Sequence, residues 1–343
     1  MRRVLILGGG FAGIEAAIFL RKQHYNVTLV SDRDYFYIYP TSIWIPTGEV
    51  EFDDVCIDLH ALQKAHGFTL MVDEVCAIAS QEHHVMLKKH GKMQEYDYLI
   101  IAMGAHKTTH QGIENTLSIC GAPDTAVAIR DALKALIAKG SGSIAMGFGG
   151  NPNDSSAVRG GPAFELLFNV HHMLQKQGIR DNFKLAFFAP MKAPGKRMGT
   201  QALATLDRYF SRLNIQRHFG KKIQKFDAGG IVFEDDSYLE SDLSMFIPAG
   251  DGHEVLKQSD LPLNAAGFVT INDYCEVCDA KGAPTHIYAI GDCAALEGPE
   301  WRAKQGHIAE VMARAVAFNI TARDSKVSQR QGYREHLNIL CIM

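Results

Sequence analysis

The sequence predicts an α/β fold made of two dinucleotide-binding-type units, the second inserted in the first. Three observations carry this reading. Short β-branched runs alternate with longer helical patterns, the signature of doubly wound sheets. A strand–glycine–helix junction occurs twice, at Leu7-Gly8 and at Met146-Gly147-Phe148-Gly149-Gly150. A late strand, 286–290, ends in Gly291-Asp292, so C-terminal residues complete the first unit. The competing arrangement is two sequential domains of similar size.

The elements follow in order. Runs at 4–7, 27–30, 98–102, 143–146, 184–188 and 286–290 read as buried parallel strands. Segments 13–24, 123–139, 162–177 and 201–213 read as helices, and a further helix is expected at 303–319. The cluster Lys139-Gly140-Ser141-Gly142 punctuates the chain before the second unit. The expected boundaries are 1–106 and 249–320 for the first unit, 107–248 for the second, and 321–343 as the start of a C-terminal segment.

A chain of 343 residues exceeds what one core usually serves, and 47% hydrophobic with 21% charged residues is ordinary globular composition. With 35 Lys plus Arg against 38 Asp plus Glu, the net charge of −3 advertises no nucleic acid. The cysteines at 56, 76, 120, 275, 278, 293 and 341 are scattered and odd in number, which favours free thiols over a disulfide framework. The apolar run 4–7 is too short for a signal-peptide core or a membrane span.

Gly8-Gly9-Gly10-Phe11-Ala12-Gly13 fits G-x-G-x-x-G between a strand and a helix, the context a Rossmann-like unit requires. Gly8 permits the tight turn, Gly10 lets backbone amides approach a pyrophosphate, and Gly13 lets helix and strand pack closely. The helix N-terminus then receives the phosphates. A ribose partner is expected about 20 residues on. Ser31 and Asp32 stand there, and Asp32 also reads as a solvated surface carboxylate.

Two further segments bear on the cofactor. The strand at 98–102 ends in Ala102-Met103-Gly104-Ala105, and that at 286–290 ends in Gly291-Asp292-Cys293-Ala294. With the glycine turn they resemble the FAD-binding triplet of glutathione-reductase-like flavoproteins. That resemblance implies FAD, with Ala102 and Gly104 beside it and Asp292 on its ribityl chain. A finer resemblance is to the sulfide:quinone oxidoreductases and flavocytochrome c sulfide dehydrogenases. It is carried by Ser31-Asp32-Arg33-Asp34-Tyr35-Phe36 with Pro40-Thr41-Ser42-Ile43-Trp44, by Leu117-Ser118-Ile119-Cys120-Gly121-Ala122-Pro123 and by Gly160-Gly161-Pro162-Ala163-Phe164-Glu165. Ala303-Lys304-Gln305-Gly306-His307 and Leu337-Asn338-Ile339-Leu340-Cys341 complete it.

The resemblance implies a FAD-dependent oxidoreductase in which cysteine thiolates capture sulfide sulfur and electrons pass through flavin to a quinone. The catalytic candidates are Cys120, Cys341, Glu165 as proton relay, and Lys304 as a cation near flavin N1 and C2=O; Pro40 joins the cofactor-binding set. For Lys304 the bland reading is a solvated first-turn lysine, and for Glu165 a helix cap. Cys120 precedes the helix expected near Pro123, whose field lowers a thiol pKa. One departure is plain: Arg159 stands where the family has one of its two sulfur-carrying cysteines. Cys275-Glu276-Val277-Cys278 is a lone C-x-x-C and no metal is claimed; Cys293 reads as packing beneath the cofactor, and Cys56 and Cys76 as core thiols.

Two rivals remain. A type II NADH:quinone dehydrogenase shares FAD and quinone chemistry. Against it, Gly147-Phe148-Gly149-Gly150-Asn151-Pro152 breaks the glycine spacing, and the strand after it ends in Ala189-Pro190 without a ribose carboxylate. The other rival is a flavin-holding, redox-responsive interaction protein without turnover. The resemblance further implies a peripheral membrane protein of a prokaryote-like cell, attached through a C-terminal segment truncated at Cys341-Ile342-Met343, and a homo-oligomer is an open possibility.

Overall fold

The computed structural model describes residues 2–93 and 96–339. The first unit opens with β1 (Arg3–Leu7), α1 (Phe11–Lys22) and β2 (Asn26–Ser31), followed by β3 (Thr69–Val72) and β4 (Tyr98–Ile101). Small buried residues at Ala12, Gly13, Ala16 and Ala17 let α1 lie close upon the sheet. All four positions of β4 are buried, as befits a strand covered on both faces.

The chain then crosses through β5 (His106–Lys107) into the second unit. There α2 (Thr125–Ala138), β6 (Gly142–Phe148), α3 (Gly161–Lys176), β7 (Phe183–Ala189), α4 (Thr200–Arg212), β8 (Ile215–Phe219) and β9 (Leu243–Ile247) follow. It returns through β10 (Gly250–Asp251) to β11 (Glu276–Cys278), β12 (Pro284–Ala289) and the long helix α5 (Gly306–Asp324). The first sheet has the order β11-β12-β4-β1-β2-β3 and the second β8-β7-β6-β9. All pairings in both are parallel except β11 with β12. The outward and return crossings run side by side, with His106 opposite Asp251. The second unit is therefore inserted in the first, not appended to it.

Register decides where the site lies. Leu7 pairs with Ile101, and Ile101 with Ala289, so three strands end level. The turns at Gly8, Ala102 and Gly291 thus emerge side by side at the carboxyl edge, where open α/β sheets bind their ligands. Each unit has its own core; that of the second is rich in aromatics, with Phe164 stacked on Phe187 at 4.5 Å between ring centres.

Some of the fold departs from the sequence reading. Two three-stranded antiparallel meanders, Val75–Ala79 with His84–Leu87 and Gly91–Met93, and Ile223–Asp227 with Gly230–Phe233 and Tyr238–Glu240, were not anticipated. Their runs are too short for period-2 alternation to stand out. The helix expected from 303 begins at Gly306, because Gln305 is extended and the Lys304 amide donates instead to Ser156 O at 3.1 Å.

Candidate active site

A cavity of about 1420 Å³ opens at the carboxyl edge of the first sheet and runs along the second unit. It exceeds the roughly 300–1,000 Å³ of a drug-sized ligand pocket. There is room for a dinucleotide and a further reactant.

The glycine turn forms one end. Gly8 has φ +115°, and a methyl there would lie 2.3 Å from Ala102 O; one at Gly13 would lie 1.9 Å from Gly8 O. Both glycines are demanded by the protein's own backbone. Gly10 and Gly104 are different: a methyl there meets nothing within 4 Å, and both line the cavity. No side chain caps α1 and no acidic residue occupies its first turn, so its leading amides and positive end are left for an anion. Asp32, Pro40 and Ala102 line the same cavity, as does Gly291, with φ +71°. This cradle fits the pyrophosphate and ribose of FAD.

Asp32 is an exposed carboxylate in the cavity wall, 3.4 Å from Arg33. Ser31 is not in the cavity wall. It is buried behind the turn, where a methyl on Gly9 would come 2.4 Å from its Oγ. Asp292 lines the cavity and is paired with the Arg159 guanidinium, an ion pair that sequence reasoning missed.

Further sequence-predicted side chains line the same cavity. Cys120 is buried in the cavity wall, within the turn closed by the Gly121 N–H to Ser118 O bond. Helix α2 starts at Thr125, so the helix field does not act directly on Cys120; the nearby cations are Lys107 and Arg159. Lys107 escaped the sequence reading. It is half-buried in the same wall, and removal from water, then Arg159, push its pKa down to about 7, with Cys120 acting in the opposite sense.

Lys304 is no solvated first-turn lysine. It is 5% exposed, donates to Ala294 O and sits 3.8 Å from the Phe268 ring centre. Burial pushes its pKa down to about 8 despite the pull of Asp154. Glu165 lines the cavity as the fifth residue of α3, beyond the capping positions. Cys293 packs beneath the site, its thiol directed at Ile101 O and Ile290 O, both 3.2 Å away. Cys76 is exposed and Cys56 half-buried, so neither is the core thiol the sequence suggested. Ile339 lines the cavity, whereas Cys341 lies outside the described residues. Buried Cys275 and half-buried Cys278 stand away from the cavity lining.

The second glycine turn differs from the first in its surroundings. A methyl on Gly147 would meet the Phe188 ring at 2.5 Å, and Asn151 folds back to donate to Gly250 O at 2.9 Å. Strand β7 ends at Ala189 and is followed by Pro190, with no carboxylate at that end for a ribose.

Fold and site together define a two-unit FAD-binding oxidoreductase. The family model described as pyridine nucleotide-disulphide oxidoreductase matches residues 2–317, and the chain belongs to that family of FAD-binding flavoproteins. Among its relatives, a sulfide-quinone reductase of Aquifex aeolicus is 27% identical, over 99% of this chain and 80% of its own. A type II NADH:quinone oxidoreductase of Haemophilus influenzae is 24% identical, over 94% of this chain and 80% of its own. The crystal structure of the sulfide:quinone oxidoreductase from Aquifex aeolicus superposes with a TM-score of 0.84 at 25% identity, covering 96% of this chain and 79% of that one.

Proposed function

We propose that this protein is a FAD-dependent oxidoreductase that takes electrons from sulfide or a related sulfur species and delivers them to a quinone. The observation that carries the reading is Cys120, a buried thiol in the wall of the cavity that also holds the dinucleotide turn. When bound, FAD supplies a two-electron acceptor that is reoxidised by the second substrate. The residues Gly8, Gly10, Gly13, Asp32, Pro40, Ala102, Gly104, Gly291 and Asp292 would hold it.

Cys120, with Cys341, carries the sulfur as a thiolate nucleophile. Glu165 holds a proton on the cavity side of α3, and Lys304 contributes positive charge from a water-poor wall, where charge acts at low dielectric. Arg159 orients Asp292 and brings a fixed cation to the place a second cysteine would take. Among the described residues no helix is long and apolar enough to cross a membrane. Peripheral membrane contact and self-association belong to the same proposal, since quinone is a lipid-phase substrate.

Anaerobic titration of the flavin absorbance tests the reading. Sulfide should bleach the bound flavin and a quinone analogue should restore it. Bleaching by NADH with none by sulfide would establish the type II dehydrogenase instead, and resistance to both would leave a non-catalytic flavin-holding protein.

A further inference from the structure

The cavity that Cys120 lines carries seven Lys and Arg side chains against four carboxylates, those of Asp32, Glu165, Asp292 and Glu300. Asp32 is engaged by Arg33, and Asp292 by Arg159. The Lys107 ammonium makes no hydrogen bond or ion pair with the described residues, and Arg159 keeps a buried, unpartnered Nε. Lys192, Lys196 and Arg197 line the same cavity on the loop between β7 and α4, and none of them forms an ion pair among the described residues. Two cations in a half-buried wall repel one another, and the repulsion is relieved by an anion placed between them.

We propose that Lys107 and Arg159 form an anion-binding subsite beside Cys120, standing where the resembled family carries a second cysteine, and that it takes a small monoanion. On the sulfide reading given above, that monoanion is hydrosulfide, held against the Cys120 sulfur before the thiolate chemistry begins. The groups facing Lys107 are consistent with this occupant. Arg159, from the segment before α3, opposes its protonation, and Cys120, from the 118–121 turn, favours it. Tyr39, from the short helix Tyr39–Ser42, anchors that turn by donating to Gly121 O at 3.0 Å; burial pushes its phenol pKa upward, so it stays neutral. Burial and Arg159 push the Lys107 pKa down to about 7, so anion binding should weaken between pH 6 and pH 8.

Thiocyanate, a strong-acid monoanion that does not reduce flavin, tests this in the FAD-loaded protein. It is titrated at pH 6 and pH 8, at constant ionic strength, by calorimetry and by the shift of the flavin absorption band. Wild type should bind about tenfold more weakly at pH 8, as linkage to a group titrating near 7 requires. Lys107→Arg should bind equally at both pH values, and Lys107→Gln at least about tenfold more weakly than wild type at pH 6. Equal wild-type affinity at both pH values, wild-type affinity in Lys107→Gln, or no binding at all overturns the proposal. A pH dependence surviving in Lys107→Arg would assign it to Cys120, His106 or Glu165 and overturn it too. If sulfide fails to bleach the flavin while thiocyanate behaves as expected, the subsite stands and the sulfide reading falls.

Discussion

Gly8 and Gly10 lie two residues apart in one turn, yet the structure requires opposite behaviour of them. A methyl at Gly8 would lie 2.3 Å from Ala102 O and 2.6 Å from Ala102 C, at φ +115°. The left-handed backbone costs about 1–2 kcal/mol for a residue with a Cβ. Forcing β4 and the turn apart costs about 1–3 kcal/mol more. Gly8→Ala should therefore lose about 2–5 kcal/mol, a large part of the roughly 5–15 kcal/mol that holds an ordinary domain. Gly10 has φ −95° and ψ −169°, which any residue adopts, and open space around it. Gly10→Ala should leave the stability of the FAD-free protein within about 1 kcal/mol of wild type. Its FAD affinity should fall at least about tenfold, because the methyl occupies the approach to the first amides of α1. Denaturant unfolding of the FAD-free chains and flavin retention after reconstitution read the two effects separately. Undiminished FAD affinity in Gly10→Ala, or a wild-type unfolding midpoint in Gly8→Ala, would refute the assignment of this turn as the pyrophosphate cradle.

Glu276 is fully buried, with Arg323 at 3.0 Å, Arg330 beside it and Asn272 Nδ2 at 2.8 Å. Glu276→Gln should cost about 3–5 kcal/mol in chemical denaturation while leaving sulfide bleaching intact, since it strands two arginines far from the cavity. Lys304 is pushed down to about 8 in the folded chain from an ordinary value of 10.5, so between these values the unfolded chain binds more protons. Stability should therefore rise as pH climbs from about 8 towards 10.5, and Lys304→Met should flatten that part of the profile. Cys120→Ser should retain flavin but lose most sulfide bleaching in stopped-flow absorbance, and so should Cys341→Ser; unchanged rates in both would remove the thiolate mechanism.

The glycine turn, the late Gly-Asp and the buried strands were legible because each is local. Gly8 and Gly13 are dictated by backbone contacts within one strand–turn–helix unit, and β4 is apolar at every position because both its faces are covered. The surroundings of Lys304 and Ser31 were not legible, for the converse reason. Whether a lysine is solvated, or a serine faces a ligand, depends on what packs there from elsewhere in the chain. Phe268 and Ala294 enclose Lys304, and Gly9 covers Ser31.

By itself the sequence determined the class of fold, the position of the dinucleotide turn and the candidate thiols, since short-range sterics and hydrophobic period suffice for these. Only the tertiary structure decided the charge of the site. Asp292 and Arg159 are 133 positions apart, and Lys107 faces Arg159 across a further separation of the chain. Coulomb energy depends on distance in space and on exclusion of water, and neither quantity exists until the two units have closed on one another.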